Sequence, residues 1–149
     1  MREQPYPDHP ERFSTWQVLC REPQSGRSYW EVERSGWYGV VVGVSYKVTE
    51  GRMQHNKIGY DDWSWSLACY DNRFTARHNK RRTNIPAPVL NAHRIAVYLN
   101  WPAGLLSFFS AAEGTLTHLH TFYSRFSEPL YPALRFIFAG SSASICELA

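Results

Sequence analysis

The stretch Val97-Tyr98-Leu99-Asn100-Trp101-Pro102-Ala103-Gly104-Leu105-Leu106-Ser107-Phe108-Phe109-Ser110 limits the fold more than any other part of the chain. Two apolar runs flank a Pro-Ala-Gly turn, which is the pattern of two antiparallel strands joined by a tight connection. The same grammar recurs elsewhere. Ser28 to Arg34 alternates, so Trp30 and Val32 face one way and are expected in the core, while Tyr29, Glu31 and Glu33 face the other. Further strands are expected at Phe13 to Cys20, Tyr38 to Tyr46, Ser64 to Tyr70, Phe74 to His78, Leu116 to Phe122, Leu130 to Phe138 and Ala143 to Leu148. Lys47 to Asp62 reads as a loop, and Thr83 to Asn91, with Pro86 and Pro88, as a connection. No segment keeps helical periodicity over three turns. About nine short strands at a spacing of roughly 8–15 residues predict an all-β, antiparallel β-sandwich.

With 149 residues, 44% of them hydrophobic and 19% charged, the chain has the size and composition of one globular domain. Residues 1–12 are polar, hold three of the nine prolines and are expected to form an extended lead-in to a sandwich over 13–149. Three cysteines (Cys20, Cys69 and Cys146) without a Cys-x-x-Cys pair argue for free thiols rather than a disulfide framework or a zinc site. That usage, the polar amino terminus and the absence of a glycosylation sequon point to a cytoplasmic protein. No apolar run approaches the ~20 residues of a membrane-spanning helix.

The net charge of +3 is modest, but its distribution is uneven. No Asp or Glu occurs between Asp71 and Glu113, and Arg73, Arg77, Lys80, Arg81 and Arg82 fall inside that gap. The run is either a solvated loop or an electropositive patch suited to an acidic or phosphorylated partner. A nucleic-acid module would be more basic overall.

Catalytic patterns are missing. There is no Gly-x-Ser-x-Gly, no phosphate-cradling glycine loop and no His-Glu-x-x-His. His118 and His120 are two apart on an expected strand and should share a face with Leu116 and Phe122, but they lack further ligands for a metal. Asp61 and Asp62 are adjacent and point apart. Glu31 and Glu33 share a face and need solvent or basic neighbours such as Arg27 or Arg34. No cofactor is expected. Aromatics make up 15% of the chain. Trp37, Tyr46, Tyr60, Trp63, Tyr70, Trp101, Phe109 and Tyr123 fall at expected strand ends and loops, where several of them could line one binding face.

A family resemblance covers Tyr6 to about Cys146. Tyr29-Trp30-Glu31-Val32-Glu33, Gly43-Val44-Ser45-Tyr46-Lys47, Ser64-Trp65-Ser66-Leu67, Val97 to Ser110 and Pro129-Leu130-Tyr131-Pro132 together resemble the PRY–SPRY (B30.2) family. The match is of the fish type carried by tripartite-motif ubiquitin ligases, NOD-like receptors and stonustoxin-like pore-forming toxins. The resemblance implies a concanavalin-like β-sandwich that binds a protein or peptide through its loops and carries no catalysis. It also implies a place in innate-immune or ubiquitin-ligase target recognition. The alternatives are a sensor of a phosphorylated small molecule and the terminal domain of a toxin subunit. The family's Leu-Asp-Pro motif is absent upstream of Tyr6, so the first PRY strands are expected to be missing. The family's Leu-Asp-Tyr-Glu block reads Leu99-Asn100-Trp101-Pro102. Carried over block by block, the resemblance places the ligand pocket at Tyr46, Lys47, Ala68, Tyr70, Ala133 and Leu134, with Arg73 and Arg77 as a basic rim.

Overall fold

The structure is a computed structural model that describes residues 16–19, 23–35, 39–47, 58–70, 73–86, 94–112, 114–136 and 142–145. The polar lead-in, Trp37, Cys20, Cys146, His9, His55 and His93 lie outside them. Eleven strands are described: β1 (Trp16–Leu19), β2 (Arg27–Ser35), β3 (Val40–Ser45), β4 (Ser64–Cys69), β5 (Arg73–His78), β6 (Arg81–Pro86), β7 (Arg94–Asn100), β8 (Leu105–Ala112), β9 (Thr115–Tyr123), β10 (Tyr131–Phe136) and β11 (Ser142–Ile145). They form two antiparallel sheets. One has six strands in the order β1-β10-β3-β4-β5-β6, and the other has five in the order β11-β2-β7-β8-β9. The expected β-sandwich is therefore observed.

Alternation along each strand builds the core. Trp30 and Val32 from β2 pack with Ile95, Val97 and Leu99 of β7 and with Leu106 and Phe108 of β8. Val40, Val42 and Val44 of β3, Trp65 and Leu67 of β4, Phe74 of β5 and Leu134 of β10 meet them from the six-stranded sheet. Trp30 and Val32 are 1% and 0% exposed, as their alternation requires. Among the described residues no helix is long and apolar enough to cross a membrane.

β3 and β4 depart from simple alternation: every residue in both is buried. Their inward side chains are all apolar, and apart from Val41 their outward ones are small: Gly43 and Ser45 on β3, and Ser64, Ser66 and Ala68 on β4. Gly43 is needed for close approach, because a Cβ there would collide with the Trp65 carbonyl oxygen of the neighbouring strand.

Two sequence expectations are corrected. Thr83 to Asn91 is not wholly a connection, since β6 occupies Arg81–Pro86 and pairs with β5 from Arg73↔Pro86 to His78↔Arg81. The turn between these strands, Asn79-Lys80, holds both residues in the left-handed region (φ 48° and 69°), which is the geometry of a two-residue hairpin loop. Glycine usually signals that loop, and lysine hid it. Second, His118 and His120 do not share a face. The register shifts between Phe108↔His120 and Phe109↔His118, leaving Leu119 as the bulged residue. His118 contacts Phe109 and hydrogen-bonds Thr121 at 2.7 Å, while His120 packs on Phe122. The basic neighbour that Glu31 and Glu33 need is found in Arg94 of the adjacent strand. Its Nη1 donates to Glu31 at 2.9 Å and its Nη2 to Glu33 at 3.3 Å.

Candidate functional site

The outward side of the six-stranded sheet can be followed row by row. One row runs Arg135–Val41–Ala68–Thr75–Asn84 across β10, β3, β4, β5 and β6. The next runs Ala133–Gly43–Ser66–Arg77–Arg82. Beyond Ala68 the chain reaches Tyr70, whose backbone N–H donates to the Arg73 carbonyl at 3.0 Å. The middle of this face is therefore small, and its ends carry arginine and tyrosine.

The turn from Ile58 to Tyr60 covers the small middle. Ile58 packs with Val41, Ala68 and Ala133, and Tyr70 lies against the same cluster. Ser66 Oγ donates to the Ile58 carbonyl at 3.2 Å, and the Gly59 N–H donates to Ser64 Oγ at 2.6 Å. Gly59 has φ +89°, and a Cβ on it would strike Ser66 Oγ, so this turn can lie flat only with glycine. Ser64 Oγ also donates to Asp61 at 2.8 Å, and the Asp61 carbonyl accepts the Asn79 N–H at 3.0 Å. The turn is thereby tied to the β5–β6 loop. Burial pushes the Asp61 carboxyl above its usual range, with the Ser64 hydrogen bond opposing.

Beside the covered part lies an open cavity of about 470 Å³, walled by Tyr70, Arg73, Thr75, Arg77, Arg82 and Asn84, among others. Two of its arginines are held by rings. The Arg73 guanidinium stands 4.8 Å from the Tyr70 ring centroid, and that of Arg77 4.7 Å from the Tyr60 ring centroid. Arg77 and Arg82 sit directly opposite each other. Arg135 is 7% exposed, and its Nε has no hydrogen-bond partner. Burial lowers its pKa, the Tyr60 and Tyr70 hydroxyls oppose that, and Arg77 adds to it. Among the described residues, no carboxylate pairs with any of these four arginines.

The expected site residues divide into two groups. Ala68, Tyr70, Arg73, Arg77 and Ala133 come together on this outward face. Leu134 does not: it is one residue out of phase with Ala133 and lies in the core between the sheets. Tyr46 also turns inward, edge-on to Trp65 at 5.3 Å, and its hydroxyl accepts the Ser127 N–H at 2.9 Å. Lys47 is exposed at the end of β3. Of the aromatics expected at strand ends and loops, Trp63 and Trp101 pack against the core, and Tyr60 joins Tyr70 on the outward face. Tyr123, 79% exposed, borders a second cavity of about 490 Å³ at the β7–β8 turn. Thr75, Asn84 and Arg135 were not expected. Arg135 was legible, because it stands two residues from Ala133 and so shares its face. Among the described residues, no three His, Cys, Asp or Glu side chains gather as a metal site.

The SPRY domain model matches residues 27–147. The chain belongs to the SPRY domain family. Neoverrucotoxin subunit alpha from Synanceia verrucosa is 40% identical to this SPRY domain over 137 residues, which are 89% of this chain and 19% of the toxin subunit. Tripartite motif-containing protein 16 from Mus musculus is 38% identical over 135 residues, 88% of this chain and 24% of that protein. The stonustoxin structure superposes with a TM-score of 0.77 at 36% identity, covering 100% of this chain and 24% of that one. The crystal structure of the TRIM65 PSpry domain gives 0.75 at 30% identity, covering 89% and 71%. The SPRY domain thus spans about a fifth to a quarter of the curated relatives named here.

Proposed function

We propose that this SPRY domain is a non-catalytic recognition module that binds a protein or peptide on the outward face of its six-stranded sheet. The observation that carries the reading is the joining of Tyr70, Arg73, Arg77 and Arg82 around one open cavity, with Thr75 and Asn84 between them. Ring-held cations and tyrosines supply large contact area with few side-chain rotors to immobilise. Their support is a hydrogen-bonded sheet, which keeps the site in one geometry. The proposed setting is the cytoplasm, with the domain selecting the target of an innate-immune or ubiquitin-ligase protein, as family membership beside tripartite-motif proteins suggests.

The test is crosslinking mass spectrometry of the domain with its cellular partners, wild type against Tyr70→Ala/Arg77→Ala. Partner crosslinks should map to β4, β5 and β6 and vanish in the variant. Crosslinks mapping to the five-stranded sheet, or surviving the substitutions, would overturn the reading. Leu134 is unsuitable as a probe, since a charge there enters the core and unfolds the protein.

A second setting is favoured by the 40% identity to a neoverrucotoxin subunit: the same module as one part of a toxin-like chain. Reading the transcript upstream of Met1 separates the two settings. A RING or coiled-coil region supports the first, and a pore-forming region the second.

A further inference from the structure

Charge and spacing on the outward face narrow the class of ligand. Arg73 and Arg77 are four residues apart on one strand, hence about 13 Å between Cα atoms at the usual rise. Each guanidinium is held over its own ring, Tyr70 for one and Tyr60 for the other, so the two do not converge on one point. Arg82 stands opposite Arg77, and like charges opposed across a ladder are unfavourable until an anion lies between them. In the same row as Thr75, three strands along the outward face, stands Arg135, 7% exposed with an orphaned Nε. Burying an unpaired charge is costly, and a ligand that brings an anion near it recovers part of the cost.

We infer that the face takes an extended acidic segment of a protein, with two Asp or Glu carboxylates about four residues apart meeting Arg73 and the Arg77–Arg82 pair. Arg135, farther along the same face, is a positioning charge. A guanidinium receives a carboxylate through two parallel N–H donors, which fixes direction as well as charge. A lone phosphate could satisfy one end of the row but would not bridge both. The hydroxyl of Thr75 and the amide of Asn84, joined at 3.3 Å, lie between the two ends and face the segment's backbone. The inference rests on the reading of this face as the binding surface.

Selection of a random peptide library displayed on phage against the full chain tests it. Recovered peptides should be enriched in paired acids at that spacing, and Arg82→Gln should weaken the best of them about tenfold, more at low salt than at high. Arg82 is exposed, so this variant keeps its fold. Arg135→Met should raise the thermal midpoint of the free domain while weakening the same peptide about tenfold. A lower midpoint with unchanged affinity would mean that Arg135 is merely structural and would overturn its part. Peptides lost in Tyr70→Ala yet without acid enrichment would overturn the acidic class and leave the face standing. Acid-rich peptides indifferent to Tyr70→Ala and Arg82→Gln would overturn the face itself. Inorganic pyrophosphate displacing selected peptides that carry no acids would move the site to small phosphorylated ligands and overturn the inference.

Discussion

A methyl group added at Gly43 meets the Trp65 carbonyl and the Ser66 Cα, both backbone atoms of a central strand that cannot yield without opening the ladder. Gly43→Ala should therefore destabilise the domain by about 2 kcal/mol or more, while Gly26→Ala, with open space around it, should stay within about 0.5 kcal/mol. Urea unfolding of the two variants side by side checks this, and equal midpoints would refute the close-approach argument. His120 makes a second residue-scale prediction. Burial, helped by the neighbouring His118, lowers its pKa below the ordinary 6.5. The unfolded chain then binds the proton more readily than the folded one. Its contribution is intact above the unfolded pKa and is lost as pH falls through the lowered folded value. His120→Gln should flatten the loss of stability as pH falls below about 6.5. An unchanged pH profile would refute it. At this scale the sequence was readable where parity of position decides a face: Trp30 and Val32 fall where alternation puts them. Ala133 and Leu134, both carried into the pocket by resemblance, cannot share a face, because neighbours on a strand point apart, and Leu134 faces the core.

At the scale of elements, the β5–β6 hairpin is where local chemistry and structure agree least. Lys80 sits at φ 69° in a loop that favours glycine. Lys80→Gly should stabilise the hairpin by about 0.5–1 kcal/mol, seen as a raised thermal midpoint. A lowered midpoint would mean that the lysine contributes something its conformation does not reveal. The hairpin also explains what the sequence concealed. Prolines at 86 and 88 make Thr83 to Asn91 read as a connection, but proline at the end of a strand on the sheet edge costs no ladder hydrogen bond. The bulge at Leu119 was hidden for a different reason. His118-Leu119-His120 alternates correctly in the sequence, and only pairing with Phe108 and Phe109 shows that one residue is extra.

For the whole molecule, the decisive fact is how the chain divides between its sheets. It passes from one to the other after β1, β2, β6, β9 and β10, so neither sheet is a contiguous piece of sequence. Neither can persist alone, and unfolding should be a single transition. Tryptophan fluorescence and far-ultraviolet circular dichroism should trace one coincident curve in urea, whereas separated curves would show that the sheets part independently. This architecture was legible from strand count and turn spacing, but the pairing order was not, because strand neighbours such as β1 and β10 are separated by more than a hundred residues. The ring-held arginines have a further consequence, one of rate. A guanidinium closed in an internal ion pair must be released before it can greet a partner, and that release slows docking. Arg73 and Arg77 rest on tyrosine faces instead, so their charge projects outward undiminished. An acidic partner would be steered from a distance and captured on first encounter, fast at low ionic strength and slowed steeply as salt screens the approach.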